Sequence, residues 1–584
     1  MQEPIQTNRL TYSIMAINPG HNGSAALVVN GELVFYAEEE RLSRLKYDGN
    51  PFKAMLQILL NHQVDELVIG GTMSQLAQLP WTGEDAYTAL VRKFNPNVKV
   101  TRMGHLHHLG HAASAFYNSG FETAAAVVVD GAGSYTQEVI EQQNITVGGF
   151  ETESIYHCSY PHEFNALHKR YSDGNQSSPY YDNGIQEFDN SVTITKAYEA
   201  VSQYLGFGFI EAGKTMGLAP YGSQDENIPR LFVQNKGNKN VFIPNYPAGA
   251  FIDENRFPYL KRFSDPVVWH NDFSMARDVD KNLAYHVQIE TEKMVIDLIQ
   301  KAIDITGETN VIISGGYGLN CVANYKYLQN FPNIKFYVDP ISHDGGTAIG
   351  LAKYAWHQYS KEIAIKPLRH VYLGAPPDYA QLDIVKQNGK INVEDATVDT
   401  IAELIDKGNI VALFQGSSEA GPRALGNRSI LFDPRRVDGK DIVNRVKNRE
   451  WFRPFAGSVL EQHASEWFDL SGMTDSPFMM YAVDVKSDKL ELIPAVTHVD
   501  GTCRIQTVSE SDNKNFYQLI EAFYRQTGVP VLFNTSLNLA GQPLVESVFD
   551  AIITLFNSEI EYLYMADLGK LVTKVKDTGD DTQV

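Results

Sequence analysis

The feature that most constrains this chain is a series of apolar runs, each ending in a polar loop that carries glycine. Tyr12 to Ile17 runs into Asn18-Pro-Gly-His-Asn-Gly-Ser24, and Thr123 to Val129 into Asp130-Gly131-Ala-Gly133-Ser134. Asn310 to Ile313 runs into Ser314-Gly315-Gly316-Tyr-Gly318-Leu-Asn320, and Lys335 to Val338 leads to Ser342-His343-Asp344-Gly345-Gly346. Short continuous apolar runs read as buried strands, and helical patterns follow the last two loops, so the chain is α/β. Any one of these loops could be a plain strand-to-helix turn. The series places carboxylates and glycine-freed backbone N–H groups where a phosphate can approach.

Between the first two loops the pattern is a hairpin. Ala25 to Val29 and Leu33 to Ala37 flank Asn30-Gly31, a strong two-residue turn signal. Glu38-Glu-Glu-Arg41 then reads as a solvated helix start, more so for Glu38 to Glu40 than for Arg41 and Lys46. A helix over Phe52 to His62 and a strand over Glu66 to Gly70 lead to Gly104-His-Leu-His107-His108-Leu-Gly-His111. His107 and His111 stand at i, i+4 on one face of the helix that the following alanines predict, a spacing that lets two imidazoles reach one metal. A divalent cation needs more than two protein ligands unless substrate completes its shell, and Asp130 and the other strand-end carboxylates are the place to seek them.

A second constellation lies far downstream. From Glu419 to Phe455 there are nine Lys or Arg against five Asp or Glu, in a chain of formal net charge −21. Pro422, Pro434 and Pro454 with Gly421 and Gly426 break the stretch into turns, so its cations cannot line one solvated helix face. Rigid turns around Arg423 and Arg453 suit a phosphate cradle; surface ion pairing is the alternative. With 49 Lys plus Arg against 70 Asp plus Glu, the average field repels nucleic-acid phosphates and disfavours a polymeric partner. Cys158, Cys321 and Cys503 are far apart without CxxC spacing, which fits a reducing cytoplasm and no structural zinc. Met1 to Ser13 lacks a signal-peptide core, and no apolar run approaches the roughly 20 residues that span a bilayer.

The remainder is less explicit. Cys158 to Asn190, rich in Tyr, Ser, Asn and Gly, reads as an inserted surface region, and Tyr171 to Asn190 is the expected place for acceptor contacts. Glu211 to Gly222 reads as a Gly-Lys turn, residues 223 to 280 as loop-rich, and Asn282 to Thr306 as one long amphipathic helix. The Lys, Pro and Gly content between Tyr359 and Tyr379 suggests a domain boundary, giving domains 1–365 and 366–584. Beyond it a helix over Asp399 to Asp406, strands over Ile410 to Phe414 and Val529 to Phe533, and a helix over Asn515 to Thr527 are expected.

Taken in order, these motifs resemble the O-carbamoyltransferase family of nodulation-factor, cephamycin and tobramycin carbamoyltransferases, over nearly the whole chain. The pieces are Gly20 to Ala26, Glu39-Glu-Arg41 with Lys46, His107 to His111, Gly213-Lys-Thr-Met-Gly-Leu-Ala-Pro-Tyr-Gly222, Gly421 to Leu431, Lys447 to Phe455, and Asn534-Thr-Ser536. Asn22 departs from the Asp that family members carry after the histidine. The resemblance implies an N-terminal actin-like (ASKHA, TsaD-like) two-lobed domain followed by an α+β YrdC-like domain.

The resemblance also implies a division of labour. The second domain would make carbamoyl-adenylate from carbamoyl phosphate and ATP with Mg2+, held by Arg423, Lys447, Arg453, Arg504 and Ser536. The first would transfer the carbamoyl group to an acceptor hydroxyl. His107, His111, Asp130 and Asp344 would hold a divalent metal, implied to be Fe2+; His21, Lys46, Gly315, Gly316 and Asn320 would line the transfer site, with His21 as general base. Sugar, antibiotic-like and hydroxymethylated nucleotide acceptors all remain open, as does a homodimer. The rival is an actin-like ATPase or kinase with an accessory C-terminal domain, which leaves Arg423 to Arg453 without a task.

Overall fold

The computed structural model of the chain describes residues 11–72, 77–175, 178–208, 210–232, 241–246, 249–255, 258–261, 277–360 and 364–575. The polar chain ends thus lie outside the described residues. The chain divides into two compact units, one made of Met1–Val371 with Met480–Ala482, the other of Tyr372–Met479 with Val483–Val584. Both are mixed α/β.

In the first unit a five-stranded sheet has the order Glu32–Glu38, Ser24–Val29, Ser13–Asn18, Glu66–Ile69, Lys99–Arg102. The first three strands are antiparallel neighbours and the last two run parallel to Ser13–Asn18. Asn30 and Gly31 both have positive φ, 48° and 79°, which is what the tightest hairpin turn demands of its two central residues. In the eight-stranded sheet Thr123–Val129 lies between Ile145–Ser159, antiparallel, and Asn310–Ser314, parallel; Lys335–Val338 follows at the edge.

Helices His107–Ser119 and Thr347–Tyr359 pack with almost no side chain between them. A Cβ on Gly350 would lie 2.0 Å from the Gly110 carbonyl oxygen, so only glycine permits the approach. Ala112, Ala113, Ala115, Phe116 and Tyr117 turn from the first helix into the core with Val128 and Ile312. This packing brings the histidine pair and the turn that starts the second helix to one place. Elsewhere in the unit, Asn324 donates to the carbonyls of Gly318 (2.8 Å) and Met480 (2.9 Å), so the returning segment is part of the unit's hydrogen bonding.

Three expectations need correction. Cys158 to Asn190 does not form an inserted surface region: Ile145–Ser159 and Glu163–Ser172 make a long hairpin within the sheet. Register shifts between Glu151 and Glu153 and between Ile155 and Tyr156 break the two-residue alternation that would have revealed the strands. Glu211 to Gly222 is not a turn but helical, Ala212–Leu218 followed by a 3-10 turn over Ala219–Tyr221, and it buries Thr215, Gly217 and Leu218. Glu38, Glu39 and Glu40 are buried rather than solvated. Glu39 accepts from the backbone N–H groups of Lys53 (3.2 Å) and Ala54 (2.9 Å) and so caps Phe52–Asn61, whose own N-terminal residue, Pro51, offers no side-chain cap.

The second unit is built on a nine-stranded sheet in which Val531–Ser536 lies between Arg428–Phe432 and Ala456–Leu460, antiparallel to both. Val411–Phe414 and Tyr562–Met565 continue one side and Thr502–Val508 the other. One of its cores joins Phe414, Ile430 and Leu537 to Val548, Ile552 and Leu555 of the helix Val548–Phe556.

Candidate functional site

In the first unit four donors converge. One ligand atom each from His107, His111, Asp130 and Asp344 lie within 4.8 Å of one another, and all four residues are buried. Two turn up from helix His107–Ser119, one stands at the end of strand Thr123–Val129, and one opens the 3-10 turn Asp344–Gly346. The Nε2 atoms of His107 and His111 are 3.2 Å apart, and His107 Nε2 is 3.3 Å from Asp130 and 3.7 Å from Asp344. His111 Nε2 lies 4.0 Å from Asp130 and 3.7 Å from Asp344.

The electrostatics of the group are those of a cation trap. Burial alone would drive the His107 proton off, yet the Asp344 and Asp130 carboxylates outweigh it and push the ring up to about 9. Burial favours a neutral Asp130, but its hydrogen bond to His107 and the charges of the imidazoles hold it well below the usual carboxylate range. Asp344, opposed by burial but helped first by His21, comes down to about 2. Two ionised carboxylates and two imidazole nitrogens facing one point suit a divalent ion that takes mixed N and O ligands. Among the described residues neither Nδ1 atom of His107 or His111 has a hydrogen-bond partner. The rings are therefore oriented by packing and by the contacts of their Nε2 atoms.

Around this group the loops close in. His21 places Nε2 3.3 Å from the second oxygen of Asp344 and Nδ1 3.0 Å from Asn22 Oδ1. The Asp344 carboxylate raises the His21 ring above its ordinary range, so the ring is arranged first as a donor to Asp344. The backbone N–H of Gly316 donates to Asp130 (3.2 Å), and a Cβ on Gly315 would sit 2.3 Å from the Val129 carbonyl oxygen. Asn320 instead caps helix Cys321–Asn330 through the Ala323 N–H and exchanges hydrogen bonds with Gln288 at 3.0 and 3.2 Å. Lys46 is exposed, its ammonium 4.8 Å from the Tyr47 ring centroid, and its charge helps lower Glu211 on the neighbouring Gly213 motif.

In the second unit the basic stretch separates into two kinds of cation. Arg435 pairs with Asp433 (2.6 Å) and Asp406 (2.5 Å), and Arg436 with Asp438 (2.7 Å). Arg445 is exposed and faces Glu559 at 4.0 Å, whereas Lys447, Arg449 and Arg453 gather further in. Lys447 is buried and donates to the Ser536 carbonyl, to Ser536 Oγ (3.3 Å) and to Asn538 Oδ1 (3.1 Å). Burial, and then the Arg449 and Arg453 guanidinium groups, depress its ammonium well below the ordinary value. Arg449 is depressed likewise, by burial, Arg453 and Arg504. Glu450 offsets part of this through Arg453 at 3.3 Å. Lys447, Arg449, Arg453, Arg504 and Ser536 thus form one cluster of strong donors under mutual repulsion, the condition an anionic ligand relieves.

Residues 86–353 match the model of the carbamoyltransferase N-terminus and residues 402–573 that of the carbamoyltransferase C-terminus. The chain belongs to the carbamoyltransferase family. It is 30% identical to the Nodulation protein NolNO of Sinorhizobium fredii over 93% of this chain and 78% of that protein. To the Nodulation protein NolO of Bradyrhizobium diazoefficiens it is 33% identical, over 78% of this chain and 77% of that protein. Among solved structures it is similar to full-length HypF in the phosphate- and nucleotide-bound form, at 12% identity and a TM-score of 0.35, over 62% of this chain and 58% of that one.

As a carbamoyltransferase the chain is an enzyme, and several residues join its sites that the motifs alone did not single out. Arg449 lies in the Lys447 to Phe455 stretch, and the Lys-x-Arg spacing was its only signal. Glu199 and Lys196 pair at 2.7 Å on helix Ile194–Tyr204 beside Gly131, where no periodicity marks them. Arg428, by contrast, is structural. Its buried guanidinium stacks 3.8 Å from the Phe414 ring centroid and donates to the carbonyls of Gln415, Gly416, Asn427 and Glu546. Arg423 is half-buried in a loop organised by Glu419, which accepts from the N–H groups of Leu425, Asn427 and Arg428. Tyr171 and Phe188, in the segment expected to meet the acceptor, stack on each other at 4.7 Å in a small core with Val147.

Proposed function

We propose that this carbamoyltransferase activates carbamoyl phosphate with ATP, forming carbamoyl-adenylate on the second unit, and transfers the carbamoyl group to an acceptor hydroxyl on the first. The observation that carries this reading is the pairing, in one chain of the family, of a buried cluster of cations with a buried His/Asp group. The strand order of the five-stranded sheet, antiparallel then parallel, supports an actin-like first unit; the mixed nine-stranded sheet suits a YrdC-like second one.

The cation cluster meets the main electrostatic obstacle of activation. Two phosphate-bearing substrates whose charges lie about 4 Å apart repel by roughly 4 kcal/mol at an effective dielectric of about 20. Arg449, Arg453 and Arg504 present forked donors to phosphate oxygens, while Lys447 is a compact charge already held by the Ser536 and Asn538 oxygens. Water and carbamoyl phosphate give carbamate and phosphate; the carbamate oxygen then bonds to the α-phosphorus of ATP and pyrophosphate leaves, with Mg2+ on the nucleotide. In the transfer, the acceptor oxygen bonds to the carbamoyl carbon, AMP leaves, and the hydroxyl proton passes to a base.

His107, His111, Asp130 and Asp344 would hold a divalent metal, Fe2+ by family resemblance. When bound it would supply Lewis-acid neutralisation of phosphate charge. Gly315 lets its loop approach Val129 closely, and the Gly316 N–H steadies Asp130, so this loop would line the transfer site. His21, whose Nε2 lies beside Asp344, is the ring that would receive the acceptor proton. Lys46 lies on the side of the Gly213 motif, suited to an anionic group of the adenylate.

The deciding measurement is ATP–pyrophosphate exchange. Exchange that requires carbamoyl phosphate is expected; phosphate release from ATP indifferent to it would mark an ordinary ATPase or kinase instead. His111→Ala should lose metal and acceptor carbamoylation yet keep exchange, and Lys447→Ala the reverse. Failure of both variants at the same step would sink the division of labour.

A further inference from the structure

Asp344 stands in a short 3-10 turn between strand Lys335–Val338 and helix Thr347–Tyr359, so neither element alone fixes its carboxylate. The next residue is gripped from both sides. The Gly345 N–H donates to His343 Nδ1 (3.1 Å), and the Gly345 carbonyl accepts from Ser24 Oγ (2.8 Å). Because Nδ1 accepts, the ring proton sits on Nε2, which lies 3.4 Å from Glu38 Oε1. Ser24, Glu38 and His343 are all buried. A Cβ on Gly345 would meet Tyr36 Oη at 2.6 Å and His343 Cε1 at 2.8 Å, so the turn fits its surroundings without slack.

We propose that Glu38, His343 and Ser24 are positioning residues that preset Asp344 for the divalent cation, an inference that rests on the metal assignment above. Ser24 and Glu38 pair across adjacent strands of the five-stranded sheet, whereas His343 to Gly345 follow a strand of the eight-stranded sheet. The clamp therefore ties the carboxylate that one sheet delivers to a fixed point on the other. It also gives Glu38 a task. Of the three buried glutamates in the run, Glu39 caps a helix and Glu40 accepts from the Tyr47 N–H (3.0 Å), while Glu38 is turned to His343. Partners that hold the backbone beside a ligand fix the direction in which it offers its lone pairs, as partners bonded to the ligand itself do, and their loss weakens metal binding without removing a ligand.

The probe is Co2+ added to the full chain, with uptake and the visible absorption band as readouts. Wild type should bind Co2+ in a manner abolished by His111→Ala. Glu38→Ala and His343→Ala should weaken binding by about 10–100-fold and alter the band, while Glu38→Gln, whose amide oxygen still accepts from Nε2–H, stays within about threefold of wild type. Urea melts establish that each variant is folded, and Ser24→Ala, which removes the bond to the Gly345 carbonyl, replaces any variant that is not. Folded Glu38→Ala and His343→Ala chains that bind Co2+ as wild type does would overturn the clamp and leave the metal centre standing. A wild-type chain that takes up no Co2+ would overturn the metal assignment and the clamp with it.

Discussion

Arg428 and Arg449 stand on the same stretch of sequence and have opposite energetics. Arg428 has four carbonyl acceptors and an aromatic face, so its burial is compensated. Arg428→Ala should destabilise the second unit by about 3 kcal/mol, seen as a lower urea midpoint, because several buried carbonyls lose their donor. Arg449 is held among other cations. Arg449→Ala should leave urea stability unchanged or raise it by about 1 kcal/mol while abolishing ATP–pyrophosphate exchange, the pattern of a site that stores strain for its ligand. Lys447 adds a pH signature. Its folded proton affinity lies below the unfolded one, near 10.5, so between the two values the unfolded chain holds the proton more tightly and stability from this group rises with pH. Melting temperatures recorded upward from neutral pH should show this positive contribution in wild type and lose it in Lys447→Met.

At the scale of elements, the helix Phe52–Asn61 depends on a side chain from outside its own sequence neighbourhood. Glu39→Ala should cost about 1–2 kcal/mol and speed amide exchange at Lys53 and Ala54 before it affects the rest of the unit. Normal protection at those two amides would exclude the cap. This contact also shows why parts of the chain were hard to foresee. Continuous apolar runs such as Thr123–Val129 and Lys335–Val338 announced their strands, and i, i+4 spacing announced the His107 and His111 face. Nothing local indicates that Glu38 to Glu40 are buried, since a carboxylate run reads as solvated until its distant N–H and imidazole partners are known. The hairpin through Cys158 was concealed by its bulges, and Arg449 by lying among cations that pair at the surface. Residues marked by a local pattern, as His107 and His111 are by spacing and Asp130 by its strand-end position, were legible; those marked only by distant partners were not.

For the whole molecule, the division into two units is not a single cut in sequence, since Met480–Ala482 counts with the first. A fragment ending at Val371 lacks the Met480 carbonyl that accepts from Asn324, although the Gly318 carbonyl remains. That fragment should melt about 1–2 °C below the first transition of the full chain, the shift that about 1 kcal/mol gives at this size. Equal melting would show that the returning segment contributes nothing to stability. The charge of the whole adds a second constraint. At −21 the chain repels anions at long range, so the inner cations must compete for their ligands at short range, where salt screens least.

The returning segment also has a consequence in time. A ribosome that has finished the first 371 residues must add roughly 110 more before Met480 exists, about 5–20 s at usual rates of synthesis. During that interval the nascent first unit must wait for its last hydrogen-bond acceptor while the next unit is already emerging.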